Sequence, residues 1–249
     1  MTKIFLAAVD QNATTFLPLI RRLKKCYFNL FSFYYLKSPA TLKYFQEISK
    51  YSVNTLIDRG AHSFQKGAKV NYDTYLKQYI KFIENYDFDN CLGYFELDVD
   101  NIIGVDAVTD MTAELKEVSN KIIPVWHPVR GVKNFKEMCK TEKYVSISGW
   151  NNEDIKDKDF HLFVNYAHKH NTKIHGLGLT REKVIRNTSF DSVDSSSWKA
   201  PARYGKLNNK KVSKECVNKN DGSFYQYLYL RGMRLQEKYA TKEELGDFI

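Results

Sequence analysis

Cysteine is scarce in this chain, and what there is lies scattered. The 249 residues hold four, Cys26, Cys91, Cys139 and Cys216, with no C-x-x-C pair among them. That spacing argues against a zinc site built from sequence-local ligands and suits a reducing cytoplasm, so no metal is expected. Long apolar runs are missing too. The run at the N-terminus, Ile4 to Val9, stops at Asp10; it is too short to span a bilayer, lacks a signal-peptide cleavage pattern, and reads as a first strand rather than a membrane contact. No Walker-type phosphate loop, no H-E-x-x-H spacing, no internal repeat and no low-complexity tract occurs, and each absence removes a class of nucleotide, metal or repeat protein.

What is present is ordinary globular composition with a basic excess. Hydrophobic residues make up 43% and charged ones 27%, which excludes wholesale disorder. The 17 Tyr and 16 Phe must be mostly core, with a few rings free to stack on bases beside a basic groove. Lys and Arg number 38 against 29 Asp and Glu, a formal charge of +9, which favours a polyanionic partner. Lys199, Arg203, Lys206, Lys210 and Lys211, with Lys214 and Lys219, concentrate that charge toward the C-terminus. They are the candidate nucleic-acid contacts, the alternative being a solvated loop.

Short β-rich runs alternate with amphipathic stretches, the signature of a parallel sheet with crossover helices. Eight runs are readable: Ile4 to Val9, Asn29 to Leu36, Thr55 to Ile57, Cys91 to Leu97, Lys121 to Trp126, Tyr144 to Ser148, Lys173 to Leu177 and Ser192 to Val193. Between them, Tyr75, Tyr79, Phe82 and Ile83 recur at helical spacing and predict a helix over Tyr72 to Asn85; Asp159 to His170 has the same character. Eight strand–helix units predict an α/β fold, a (βα)8 TIM-type barrel over residues 1–204. A basic loop and a C-terminal helix, Ser223 to Tyr239, follow over 205–249 and pack on it.

In such a barrel the active site forms at the carboxyl ends of the strands. The polar residues there are Asp10, Asp58, Glu96, Asp98, Asp100, His127, Ser148, Trp150, His175 and Asp194. Any single acid could merely cap the next helix. Several on one rim repel each other unless a cation, a proton or a substrate relieves them, which leaves paired-carboxylate chemistry or hard-metal binding. Glu96, Asp98 and Asp100 alternate as if on one strand face and could be read as a metal cluster; that reading comes second, because no His-rich spacing accompanies them.

The segment Leu56-Ile57-Asp58-Arg59-Gly60-Ala61-His62-Ser63-Phe64-Gln65 resembles the Asp-Ser-Gly-Gly-Phe-Gln motif of tRNA-guanine transglycosylases, with Arg59 in place of the serine and an insertion before Phe64. The runs FELDVD, PVWHP, IHGLG and FDSVDSSSW are similar to those of small phage DNA-modifying relatives of these enzymes, which install 7-deazaguanines. The resemblance extends from the third strand to Trp198. It implies Asp194 as nucleophile, within an Asp191–Asp194 pair, and Asp58 as the acid that handles the proton of the exchanging base. It implies base recognition by Asp98, with Glu96 or Asp100 as its alternates. His127, Gly176, Gly178, Phe64 and Trp126 would line the base, and Trp150 could stack on it. The zinc spacing of the tRNA-specific members is absent, which favours DNA, single-stranded or with a flipped base, together with a 7-deazaguanine such as preQ0. No cofactor is implied, since base exchange conserves the glycosidic bond energy. Arg59 departs from the family pattern, and a cation beside Asp58 would weaken it as a base.

Overall fold

The computed structural model describes residues 2–60, 70–148, 155–179, 181–207, 210–217 and 222–246. Nine short strands, β1 (Lys3–Ala7), β2 (Cys26–Ser32), β3 (Ser52–Asp58), β4 (Cys91–Phe95), β5 (Ile122–Ile123), β6 (Val125–Trp126), β7 (Tyr144–Ser148), β8 (Lys173–Leu177) and β9 (Ser192–Ser195), form one sheet. Its order is β5-β4-β3-β2-β1-β9-β8-β7-β6, and every pairing is parallel. The two ends of that order are one stretch of chain. β5 and β6 flank Pro124, which has no N–H to donate; its carbonyl accepts from Ser146 N–H at 2.9 Å. The fifth strand is thus broken by proline, pairs with β4 through its first half and with β7 through its second, and closes the sheet into an eight-stranded barrel.

Helices cover the outside. They are α1 (Ala13–Leu23), α2 (Phe33–Leu36), α3 (Pro39–Tyr51), α4 (Tyr72–Asn85), α5 (Asp100–Ile103), α6 (Val105–Val118), α7 (Gly131–Thr141), α8 (Phe160–Lys169), α9 (Glu182–Asn187), α10 (Ala200–Tyr204), α11 (Lys214–Val217) and α12 (Ser223–Tyr239). A two-stranded antiparallel hairpin, β10 (Lys206–Leu207) with β11 (Lys210–Lys211), lies between α10 and α11. Among the described residues no helix is long and apolar enough to cross a membrane.

Strand alternation sorts side chains into two cores. Inside the barrel, Phe5 meets Phe28 (ring centroids 5.5 Å) and His175 (6.5 Å), and Phe95 meets His175 (4.9 Å). Outside, Ile4, Val145, Ile147, Ile174 and Val193 pack with Val164 and Ala167 of α8. Helix α4 buries Tyr75, Leu76, Tyr79, Phe82 and Ile83, the face its spacing predicts. Helix α12 is bolted across β1 and β2. Gln236 Nε2 donates to the carbonyls of Ile4 (2.8 Å) and Phe28 (2.6 Å), and the Tyr229 hydroxyl donates to Asn29 Oδ1 (3.0 Å). At Gly232 a Cβ would come within 2.8 Å of Leu6 Cδ1, so only glycine lets the helix approach this closely.

Six of the eight strands differ in their bounds from the sequence reading: the first ends at Ala7, the third starts at Ser52 and the fifth is split at Pro124, while the second, fourth and last differ for local reasons. The second strand is Cys26–Ser32, and Phe33–Leu36 is a helical turn. The Ser32 N–H is taken by Asp10 Oδ2 at 2.6 Å instead of a ladder carbonyl, and Phe33 turns aside to stack against Tyr75 and Tyr79. The fourth strand stops at Phe95, because the N–H groups of Asp98 and Val99 fold back onto the carbonyls of Glu96 and Leu97. The last strand runs on to Ser195. Replacing Gln236, which is 1% exposed, by Ala leaves two strand carbonyls without their donor; urea denaturation is expected to report a loss of about 2 kcal/mol or more.

Candidate active site

Asp58 and Asp194 stand on the inward face of the barrel at the same mouth. On β3, Asn54 points inward, where its Oδ1 accepts from Lys3 Nζ at 3.4 Å; Asp58, four residues on, shares that face. On β9, Ser192 points inward to His175, and Asp194 follows two residues later. Both acids sit at carboxyl strand ends, with β2 and β1 between their strands.

Asp194 is nearly buried, and its two oxygens differ. Oδ1 accepts from the Gly178 N–H at 2.7 Å and meets His175 Nε2 at 3.2 Å. Gly178 reaches it from a left-handed turn, φ +66°. Oδ2 has no hydrogen bond to any described residue. Asp191, the other acid of the expected pair, lies at the opposite end of β9, where it accepts from the Ile174 N–H and from His168. It takes no part in the site.

Asp58 is half-buried. Oδ2 accepts from the Gly60 N–H at 3.0 Å, and Oδ1 faces Arg59 Nη1 at 3.4 Å. Gly60 has φ +85°, and a Cβ there would lie 2.5 Å from Tyr34 Cβ; glycine is what lets this N–H turn back onto the carboxylate. The guanidinium of Arg59 is itself buried and pairs through Nη2 with Asp98, whose other oxygen meets His127 Nε2 at 2.9 Å. Both oxygens of Asp98 are therefore engaged, and a base edge would have to displace one of these partners.

The other two acids of the fourth strand end do not face the mouth. Glu96, Asp98 and Asp100 share no strand face, since β4 ends before them and Asp100 opens α5. Glu96 points outward: it accepts from Thr112 Oγ1 of α6 (2.6 Å) and from the Val125 N–H (2.8 Å), and it pairs with Arg130 (2.8 Å). Burial pushes its carboxyl above the ordinary range, against the pull of Arg130. Arg130 also binds Asp100 at 2.7 Å. Glu96 and Asp100 are thus joined through Arg130, and among the described residues no three His, Cys, Asp or Glu side chains are grouped to hold a metal ion.

Trp126, expected to line the base, turns to the helix layer. It stacks near Phe135 and Phe163, and its indole N–H donates to the Gly131 carbonyl (2.9 Å). Gly176 likewise presents its open face outward, where a Cβ would meet Leu179 and Phe190. Phe64 and Trp150 lie outside the described residues. Of the basic set, Lys199 is buried rather than free for phosphates: its Nζ donates to the Ala8 carbonyl (3.1 Å), Gln11 Oε1 (3.3 Å) and Asn12 Oδ1 (2.6 Å), and burial lowers it to about 8. Arg203, Lys206, Lys210 and Lys211 are exposed, around a Tyr204 that is 75% exposed. Arg203, on α10, touches Gln11 of the loop after β1, which brings that helix to the rim at the end of the first strand.

The chain shares its architecture with solved structures, although no family model and no curated protein matches its sequence. It is similar to a Coccidioides immitis protein described as a fructose-1,6-bisphosphate aldolase, at 10% identity over 96% of this chain and 90% of that one, with a TM-score of 0.56. It is similar also to Campylobacter jejuni fructose-bisphosphate aldolase (10% identity, 98% and 90% covered, TM-score 0.52) and to Cryptosporidium parvum pyruvate kinase (12%, 97% and 72%, 0.52). The fold is a TIM barrel. At such identities the likeness extends to the fold alone.

Sequence reasoning missed Arg130, Ser192 and Tyr144. A signal for the last two was present: Tyr144, Ser146 and Ser148, and Ser192 and Asp194, put a polar group at every second position of two strands, the pattern of a polar inner face. Asp10, at the end of the first strand, is the remaining acid of the rim. Burial pushes its carboxyl up to about 6, against the Ser32 N–H and Lys199, with nearby Asp58 adding to the rise. Its folded form therefore holds a proton more tightly than the unfolded chain, and the fold loses stability as pH rises from about 4 to about 6. Asp10→Asn should match the parent near pH 3 and exceed it above pH 6, by up to roughly 3 kcal/mol, in urea titrations at the two pH values.

Proposed function

We propose that the protein is a transglycosylase that exchanges guanine in DNA for a 7-deazaguanine base through a covalent aspartyl-glycosyl intermediate. The observation that carries this reading is Asp194: one carboxylate oxygen is held by Gly178 and His175, and the other, at an inward-facing strand end, accepts no hydrogen bond from a described residue, as a nucleophile requires. Support comes also from Asp58 at the same mouth, from the order of the family-like motifs along the chain, and from the exposed basic residues Arg203, Lys206, Lys210 and Lys211, of which Arg203 reaches the loop after β1.

In this mechanism Asp194 Oδ2 attacks C1′ of the target nucleotide. The bond from C1′ to the guanine nitrogen breaks, its electron pair leaves with the base, and Asp58 supplies the proton the base takes up. The ester formed is then opened by the incoming 7-deazaguanine, whose proton passes to Asp58. Chemistry of this type parallels retaining glycosidases, with two carboxyl groups facing one sugar at about 5 Å. Arg59 disfavours proton delivery by Asp58, so departure of the base demands more of Asp58 here than in relatives with serine at that position. The target base must be single-stranded or flipped to reach the mouth.

The test is incubation with guanine-containing single-stranded DNA and a free 7-deazaguanine, followed by nucleoside mass analysis. Exchange is expected with the wild type, unaffected by chelator, and reduced about a thousandfold or more in Asp194→Asn. A wild-type protein that binds the DNA yet exchanges no base would falsify the reading. For the hairpin, the triple change Lys206→Ala, Lys210→Ala, Lys211→Ala should weaken DNA binding and flatten the slope of log affinity against log salt by about 2 to 3, as read by fluorescence anisotropy.

A further inference from the structure

Below Asp194, a chain of hydrogen bonds runs down the inside of the barrel. The Tyr144 hydroxyl, at the start of β7, bonds Ser192 Oγ at the start of β9. Ser192 Oγ lies 2.5 Å from His175 Nδ1 in the middle of β8, and His175 Nε2 lies 3.2 Å from Asp194 Oδ1. The imidazole is fully buried, with the rings of Phe5 and Phe95 against it.

Of the two neutral tautomers of His175, one satisfies every member. Tyr144 donates to Ser192, Ser192 donates to Nδ1, and the neutral imidazole donates its Nε2–H to the carboxylate. The other neutral tautomer would set a lone pair of Nε2 against the lone pairs of Oδ1. A fully buried imidazole needs partners for both nitrogens, and His175 has them in Ser192 and Asp194. Here the chain ends on a carboxylate at an inward-facing strand end whose second oxygen accepts no hydrogen bond from a described residue.

We infer that His175 is a positioning residue for Asp194: held in its Nε2–H tautomer by Ser192 and Tyr144, it fixes Oδ1 and so turns Oδ2 toward the barrel mouth. Its catalytic consequence rests on the transglycosylase reading; its geometry does not. As Oδ2 bonds to C1′, Oδ1 becomes the ester carbonyl oxygen and keeps the same two donors, the Gly178 N–H and the imidazole. The carboxylate therefore reacts without reorganising its surroundings, the economy that a preorganised site provides.

Two measurements decide it. In 15N-labelled protein, long-range 1H–15N spectra, assigned by loss of the signal in His175→Gln, should show His175 with Nε2 protonated and Nδ1 bare. An Nδ1–H imidazole overturns the inference whether or not any base is exchanged. In the exchange assay, His175→Leu should lower kcat about a hundredfold with KM for the free base unchanged. His175→Gln, whose amide can donate to Asp194 and accept from Ser192, should recover to within about tenfold of wild type. Should the leucine variant fail to fold, Ser192→Ala replaces it, with an expected several-fold loss of kcat and a mixture of tautomers in the spectrum. A folded His175→Leu as fast as wild type, or a glutamine variant as slow as leucine, would sink the proposed role. Absence of exchange in the wild type overturns the transglycosylase reading instead, and the tautomer spectrum still decides the geometry.

Discussion

Six carboxylates follow the strands of this barrel within one rim, and mutual repulsion would open that rim if they were left uncompensated. Each has its own answer. Arg59 lies between Asp58 and Asp98, Arg130 between Glu96 and Asp100, and Asp10 lies near Lys199 while accepting from the Ser32 N–H. Asp194 is held by a backbone N–H and by the His175 imidazole, which in the inferred Nε2–H tautomer carries no full positive charge. Such a partner orients a carboxylate while leaving most of its charge available for chemistry.

The same constraint explains why so much of the acidic cluster is structural. Proline at position 124 breaks the fifth strand and interrupts its ladder, and the Val125 N–H beside it is taken up by the side chain of Glu96. Glu96 in turn is anchored by Thr112 and Arg130. The barrel closes at its weakest seam through a buried acid and a buried arginine. Removing Arg130 would leave Glu96 and Asp100 buried without their cation, and that dependence ties the cluster to the fold.

Legibility in the sequence followed periodicity. The helix over Tyr72–Asn85 and the strands over Tyr144–Ser148 and Lys173–Leu177 have the expected bounds, because one buried face repeated at 3.6 or at 2 residues is enough to specify them. Phe33–Leu36 misled, since strand-prone aromatics there are overridden by packing on α4 and by Asp10 capturing the Ser32 N–H. Trp126 and Lys199 misled for a related reason. Their residue types suggest stacking and phosphate binding, whereas their side chains are spent on helix packing and on the loop after β1.

By itself, the sequence determined which segments alternate as strand and helix, and so that eight units would close with their acids at one rim, because hydrophobic period and chain order are local properties. Only the tertiary structure decided which acids face the interior and which are paired away by Arg59 and Arg130, and that His175, Ser192 and Tyr144 line up beneath Asp194. Those outcomes depend on strand register and on the direction each side chain takes after its strand ends, and both are set by partners dozens of residues away.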